Sequence, residues 1–128
     1  MTARTITLPG TPASLSRARC FTRAVLAGNP GADAAEMCVS EIAANTVTHG
    51  HAAEYTVKID AGPGVIVIEV TGGVTAPVTV PAQRPGEDSE HGRGLLIVAA
   101  LAGRVEFTAG RVRAELAVTV PATAGRAA

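Results

Sequence analysis

The sequence predicts an α+β fold, a two-layer sandwich in which a mostly antiparallel sheet is covered on one face by helices. Two observations carry this expectation. Strand-like stretches come in adjacent pairs, 55–60 with 65–70 and 104–108 with 112–120, and the short connections within each pair make antiparallel hairpins. Stretches with helical spacing are grouped between the pairs, without the strand–helix–strand alternation that builds a parallel sheet. At 128 residues the chain is long enough for one core and too short for two. Residues 1–121 are therefore read as one domain. With 2% of residues aromatic and 47% hydrophobic, the core has to be assembled from Val, Leu, Ile and Ala.

Residues 5–8 (Thr-Ile-Thr-Leu) alternate as a short first strand, which Pro9-Gly10 stops. Thr11-Pro12 is a helix start, with Thr as cap and Pro at the first helical position. Leu15, Ala18, Thr22 and Val25 then share a face, with Phe21 and Leu26 at its edge and Arg17, Arg19 and Arg23 mostly elsewhere. Gly28-Asn29-Pro30-Gly31 ends this helix. A second helix is expected to open at Asp33, with Glu36 three residues on as in a capping box. Its stripe is Ala35, Val39, Ile42 and Thr46, flanked by Cys38 and Ala43, and Gly50 is placed to end it. Cys20 and Cys38 are too far apart for a Cys-x-x-Cys site, and both are expected to behave as small buried hydrophobes.

The first hairpin turns at 61–64 (Ala-Gly-Pro-Gly), and Thr71-Gly72-Gly73 breaks its second strand. Residues 74–91 then change character, with Pro77, Pro81, Pro85 and Gly86 followed by Glu87-Asp88-Ser89-Glu90-His91. So long a loop in so small a domain is a lid, a binding loop or disordered; the lid is placed at about 73–92. Gly92-Arg93-Gly94 leads into an apolar helix over 95–101. In the last strand Val112, Ala114, Leu116 and Val118 point one way and Arg113, Glu115 and Thr119 the other. Residues 122–128 are read as a flexible tail.

Composition excludes some classes of function. Eleven basic residues balance eleven acidic ones, which argues against a nucleic-acid binder that must neutralise phosphates. No apolar run approaches the roughly 20 residues that cross a bilayer, and the N-terminus lacks the apolar core of a signal peptide. A cytoplasmic protein is the expectation. Lys58 is the sole lysine, and the chain is rich in Ala, Gly, Val and Pro, which points to a GC-rich bacterial coding bias.

Two features carry chemistry. Glu41 and Asn45 stand one helical turn apart on one face, beside Ile42, Ala43 and Ala44. On its own the pair reads as a solvated polar face; beside a phosphate chain, a carboxylate and a carboxamide so stacked suit a hydrated divalent cation and a water. Gly92-Arg93-Gly94 supplies that second element. Glycines before a helix let the backbone approach an anion closely, and the first amides of the helix have no intrahelical acceptor. The same glycines also serve as a flexible joint. Among the histidines, His49, His51 and His91 lack the regular spacing and cysteine partners of a structural metal site.

In order along the chain, residues 39–50 (Val-Ser-Glu-Ile-Ala-Ala-Asn-Thr-Val-Thr-His-Gly), a hairpin ending in glycines, a Pro-rich lid, and residues 90–98 (Glu-His-Gly-Arg-Gly-Leu-Leu-Ile-Val) resemble the GHKL, or histidine kinase-like, ATPase superfamily. The resemblance runs from about Ile6 to Val120 and is strongest to the small single-domain anti-sigma-factor serine kinases of actinobacterial type, with a Bergerat-type ATP-binding fold. It implies ATP and Mg2+ as cofactors. Asn45 is then the metal residue, and Glu41 the catalytic residue that orients or deprotonates a water or a partner's serine hydroxyl. Gly92, Arg93, Gly94 and Leu95 are the phosphate-side residues, and His49 is structural. The implied partners are a sigma factor or a small anti-anti-sigma-like protein, with a homodimer as a further expectation and neither nucleic acid nor membrane. The pattern departs at one place: where the family has an adenine-binding Asp after the first hairpin, this chain has Gly72. Losing a hydrogen bond to a charged acceptor costs about 1.5–3 kcal/mol. Asp60 and Asp88 are the candidates to substitute. The alternative reading is therefore a degenerate, non-catalytic member that binds proteins and has weak or no affinity for ATP.

Overall fold

A computed structural model of the chain describes residues 2–50, 53–72, 102–108 and 110–118. The expected lid at 73–92, the glycine corner Gly92-Arg93-Gly94, the helix at 95–101 and the tail lie outside the described residues. The elements are β1 (Thr2–Pro9), a 3-10 turn (Pro12–Ser14), α1 (Leu15–Val25), α2 (Ala32–Gly50), β2 (Glu54–Gly62), β3 (Val65–Thr71), β4 (Arg104–Thr108) and β5 (Arg111–Ala117). The five strands form one sheet in the order β1-β2-β3-β5-β4, and every pairing is antiparallel. The architecture is the expected α+β arrangement.

β1 is longer than the alternation at 5–8 suggested, because its pairing with β2 continues outward to Thr2 opposite Ala61. Pro9 ends it on the sheet edge, where a missing N–H breaks no ladder, and Gly10 donates its amide to the Ala53 carbonyl at 2.8 Å. The β2–β3 hairpin closes Gly62 onto Val65 through Pro63-Gly64, with Gly64 at φ +76°. Proline then glycine at the two central positions is what a type II turn asks for.

The start of α2 differs from the expected capping box at Asp33. Asn29 is the organiser: its Oδ1 accepts the Gly31 amide at 2.8 Å and its carbonyl accepts the Ala32 amide at 3.0 Å. The helix begins at Ala32, and Asp33 sits inside its first turn, where a carboxylate still favours the N-terminal end of the dipole. Glu36 does not reach back to a cap. It is held by Arg23 of α1, with Nη2 to Oε2 at 2.7 Å and Nε to Oε1 at 3.2 Å. Arg19 adds a longer contact of 3.5 Å to the Ser40 hydroxyl, so Arg19 and the exposed Arg23 fasten α1 to α2. Cys38 is buried as expected, whereas Cys20 is exposed on α1.

Strand alternation sorts the sheet into two faces. Towards the helices point Leu8, Tyr55, Val57, Ile59, Ile66, Ile68, Val70, Val112, Ala114 and Leu116, all buried. They meet Ala18 and Leu26 around α1, and Ala35, Cys38, Val39, Ile42 and Ala43 of α2. Each fully buried Leu, Ile or Val contributes roughly 1.5–3 kcal/mol of transfer free energy. The opposite face is polar, and opposite charges stand directly across from one another: Lys58 by Glu69, Glu69 by Arg113, Arg113 by Glu106. Arg113 pairs with Glu69 at 3.4 Å and also with Glu115, while Arg104 pairs with Glu106 at 3.0 Å. Such exposed pairs contribute little individually; they keep this face wet.

α1 lies over β1 and β2, and α2 over β2, β3 and β5. α2 starts where β3 starts and β5 ends. A Cβ on Gly31 would come within 2.8 Å of both Ile66 Cδ1 and Val118 Cγ2, so glycine there lets the helix approach the sheet. It finishes at the other end of the sheet, because Glu54 of β2 follows Gly50 within four residues. That is the end where β3 runs out at Thr71 and Gly72.

Candidate functional site

The flanks of α2 have different surroundings. Glu36 and Ser40 turn towards α1, and Ala35, Val39, Ile42 and Thr46 turn down onto the sheet. By the 3.6-residue turn, Ala34, Cys38, Glu41 and Asn45 then line the flank facing away from α1. Glu41 and Asn45 are half-buried on that flank. Among the described residues, neither side chain has a hydrogen-bond or ion-pair partner. Two polar side chains one turn apart, partly withdrawn from water and uncommitted, can serve a ligand at no loss of internal structure.

Between them and the core sits Cys38, whose burial pushes its thiol from 9.0 up to about 11. It is a neutral apolar floor to the flank and no nucleophile. Of the charged residues on α2, Asp33 sits in the first turn and Glu36 is claimed by Arg23, whose hydrogen bond holds its carboxyl below the usual range. Glu41 is therefore the single carboxylate on the flank away from α1.

Gly72 closes the other side of this end. Its amide donates to the Gly110 carbonyl at 2.9 Å, which ties the end of β3 to the β4–β5 turn. Asn45 and Gly72 thus lie towards the same end of the molecule, and Glu41 stands one turn further back, at the middle of α2. The structure does not provide space for a side chain at Gly72: an added Cβ would stand 2.7 Å from Tyr55 Cβ and 3.0 Å from both Tyr55 Cα and the Glu54 carbonyl. Gly92, Arg93, Gly94 and Leu95 lie outside the described residues. Of the proposed substitutes for the missing carboxylate, Asp88 lies outside them too. Asp60 is on the polar face of the sheet beside Lys58, Glu69 and Arg113, with Oδ1 buried and unpaired. The sheet separates it from α2. Among the described residues no cluster of His, Cys, Asp or Glu could hold a metal ion by itself.

Sequence reasoning missed Tyr55 and Ser14. The Ser14 hydroxyl donates to the Thr11 carbonyl at 2.8 Å, so the Tyr55 hydroxyl donates to Ser14, at 2.7 Å. This buried link holds the far end of the Tyr55 ring, while the β2 main chain at Glu54 and Tyr55 is what excludes a side chain at Gly72. The available signal was the sole tyrosine of the chain at the start of an apolar strand, where a buried hydroxyl needs a partner.

Helices thus cover one face of an antiparallel sheet, and the second helix carries a carboxylate–carboxamide pair without a partner among the described residues. Residues 8–120 match the histidine kinase-like ATPase domain, and the chain belongs to that family. No curated protein matches it significantly. The family implies ATP and Mg2+. Asn45 and Glu41 fit the metal and phosphate side of that ligand, being polar and uncommitted; Gly72 does not fit a carboxylate for the base. Among the described residues no helix is long and apolar enough to cross a membrane.

Proposed function

We propose that this chain is a regulatory ATP-binding protein of the anti-sigma-factor, serine-protein kinase type. The observation that supports the reading is the uncommitted Glu41–Asn45 pair on α2, in a chain of the histidine kinase-like ATPase family. Asn45 is the metal residue, its amide oxygen a neutral hard donor that Mg2+ accepts beside phosphate oxygens. Glu41 is the catalytic residue, accepting the proton of the attacking serine hydroxyl or water. ATP, when bound, supplies the phosphoryl group, and Mg2+ neutralises charge on its oxygens. Gly92, Arg93, Gly94 and Leu95 are assigned to the phosphates by their place in the sequence. The partner is a sigma factor or a small anti-anti-sigma-like protein in the bacterial cytoplasm, and the chain acts alone or as a homodimer.

A second reading, a non-catalytic partner-switching module, is favoured by Gly72, where the base-reading carboxylate has no room. Calorimetric titration and phosphoryl transfer to a serine-containing antagonist separate the two. Binding of Mg·ATP that chelator abolishes is expected. Asn45→Ala should remove the Mg2+ dependence. Glu41→Gln should keep binding and lower transfer by about 10²–10⁴-fold, the usual contribution of a general base. No heat at millimolar concentration with either Mg·ATP or Mg·tripolyphosphate would sink the kinase reading and leave the module.

A further inference from the structure

We infer that the outer face of the α1–α2 pair is a docking surface for a second copy of this chain, in a two-fold arrangement that sets Asp33 of each copy against Arg19 of the other. The inference goes beyond the nucleotide reading and stands without it.

Among the described residues one large apolar side chain is exposed, Met37, at 45%. It borders a hollow of about 290 Å³ that is lined by Arg19, Asp33, Glu36, Met37 and Ser40. The hollow is a seam between the two helices, and its walls are held in place, since Arg23 grips Glu36 and Arg19 reaches Ser40. Methionine, unbranched and polarizable, fills irregular gaps of this kind. One exposed apolar side chain needs no explanation by itself; the charges beside it point to an occupant.

Asp33 has no hydrogen bond or ion pair among the described residues, and Arg19 has no ion pair there, only the long contact to the Ser40 hydroxyl. Glu36, between them, is already claimed by Arg23. The seam therefore carries one uncommitted charge of each sign, on either side of Met37. Asp33 is about 6 Å along the α2 axis from Met37 in one direction, and Ser40, which marks the level of Arg19, about 4.5 Å in the other.

That near-equal spacing makes the face complementary to itself. A two-fold axis lying in the interface, across the helices at the level of Met37, reverses the direction of α2. It brings Met37 onto Met37, and each Asp33 to the level of Arg19 in the other copy. Reciprocal contacts of this form are what an isologous interface requires. A partner of a single charge sign would satisfy only one of the two groups. The flank of α2 that carries Glu41 and Asn45 faces away from α1 and is left open. Two short helices offer a face at the small end of specific interfaces, so the dimer forms at micromolar concentrations.

The test is sedimentation velocity of the full chain from about 10 to 300 µM, the range in which so small an interface associates. The weight-average mass of the parent should climb towards twice that of the monomer. Asp33→Arg and Arg19→Glu each set like charges against one another, and each alone should remain monomeric throughout. Mixed in equal amounts, these two variants restore both ion pairs, and the mixture should dimerise again. Met37→Glu is a third arm. It places two carboxylates together at the axis, and should abolish the dimer while keeping the far-ultraviolet dichroism of the parent. A parent that stays monomeric would overturn the inference and leave the seam to a different partner. Single variants that dimerise as the parent does, or a mixture that stays monomeric, would overturn it as well. Failure of Mg·ATP to bind would leave it standing, because the nucleotide flank takes no part in the contact.

Discussion

Cys38 and Cys20 show how one residue type takes opposite roles within two adjacent helices. Cys38 faces the core side of α2 and is fully buried; Cys20 lies on the outer side of α1. Sequence spacing placed both in helices but could not say that α1 would present Cys20 outward, since Cys20 sits next to the apolar face set by Ala18 and Thr22. Desolvation raises the Cys38 pKa from 9.0 to about 11. The folded state therefore keeps this thiol neutral where the unfolded chain ionises it. The stability associated with Cys38 is fully present below pH 9 and is lost progressively as pH rises through about 11. Other groups titrate in the same window, so the measurement is a comparison. Urea midpoints of the parent and of Cys38→Ala should converge as pH rises from 9 towards 11, and a constant gap across that range would contradict the assignment. Thiol labelling of the native protein at pH 8 should reach Cys20 and leave Cys38 unmodified.

At the scale of elements, the helices and strands were largely legible because period-two and helical patterns report directly on local burial. The hairpins at Glu54–Gly62 with Val65–Thr71 and at Arg104–Thr108 with Arg111–Ala117 fall where the alternation placed them. What misled was Asp33 with Glu36, a pattern that satisfies a capping box on paper. The competing interaction is tertiary: Arg23 sits thirteen residues back in sequence and takes both Glu36 oxygens, while Asn29 supplies the cap chemistry. The site was legible in the same uneven way. The Glu41–Asn45 spacing follows from helix geometry alone, whereas the closure of Gly72 depends on the β2–β3 register, which sets the main chain of Glu54 and Tyr55 against it. The Arg23–Glu36 clasp yields a pH signature. Because Arg23 lowers the Glu36 pKa, principally through the hydrogen bond, the pair's contribution is present above the ordinary carboxylate range and lost as pH falls through the folded-state value. Glu36→Gln should therefore be less stable than the parent at pH 7 and equal to it at strongly acidic pH. A deficit that persists in acid would assign Glu36 to packing instead of charge.

At the scale of the whole molecule, the strand order β1-β2-β3-β5-β4 was not legible, because it inserts β5 between β3 and β4 through pairings such as Val65 with Ala117 that no local pattern encodes. That order matters to function. It places the β4–β5 turn against Gly72, at the end towards which α2 and Asn45 run, and leaves the polar sheet face apart from them. A ligand held between α2 and the end of β3 bridges two elements that the hydrophobic core joins only from below. Binding to the native state alone adds RT ln(1 + [L]/Kd), about 2.7 kcal/mol at a hundredfold excess over Kd. Mg·ATP should consequently raise the thermal midpoint in a concentration-dependent way, and chelator or Asn45→Ala should remove the shift. Hydrogen exchange supplies the spatial test. Protection should appear in the C-terminal half of α2 and around Thr71–Gly72, with α1 and strand β1 unchanged. Protection confined to α1, or a thermal shift indifferent to Mg2+, would place the ligand on the other side of α2 and detach Glu41 and Asn45 from nucleotide binding.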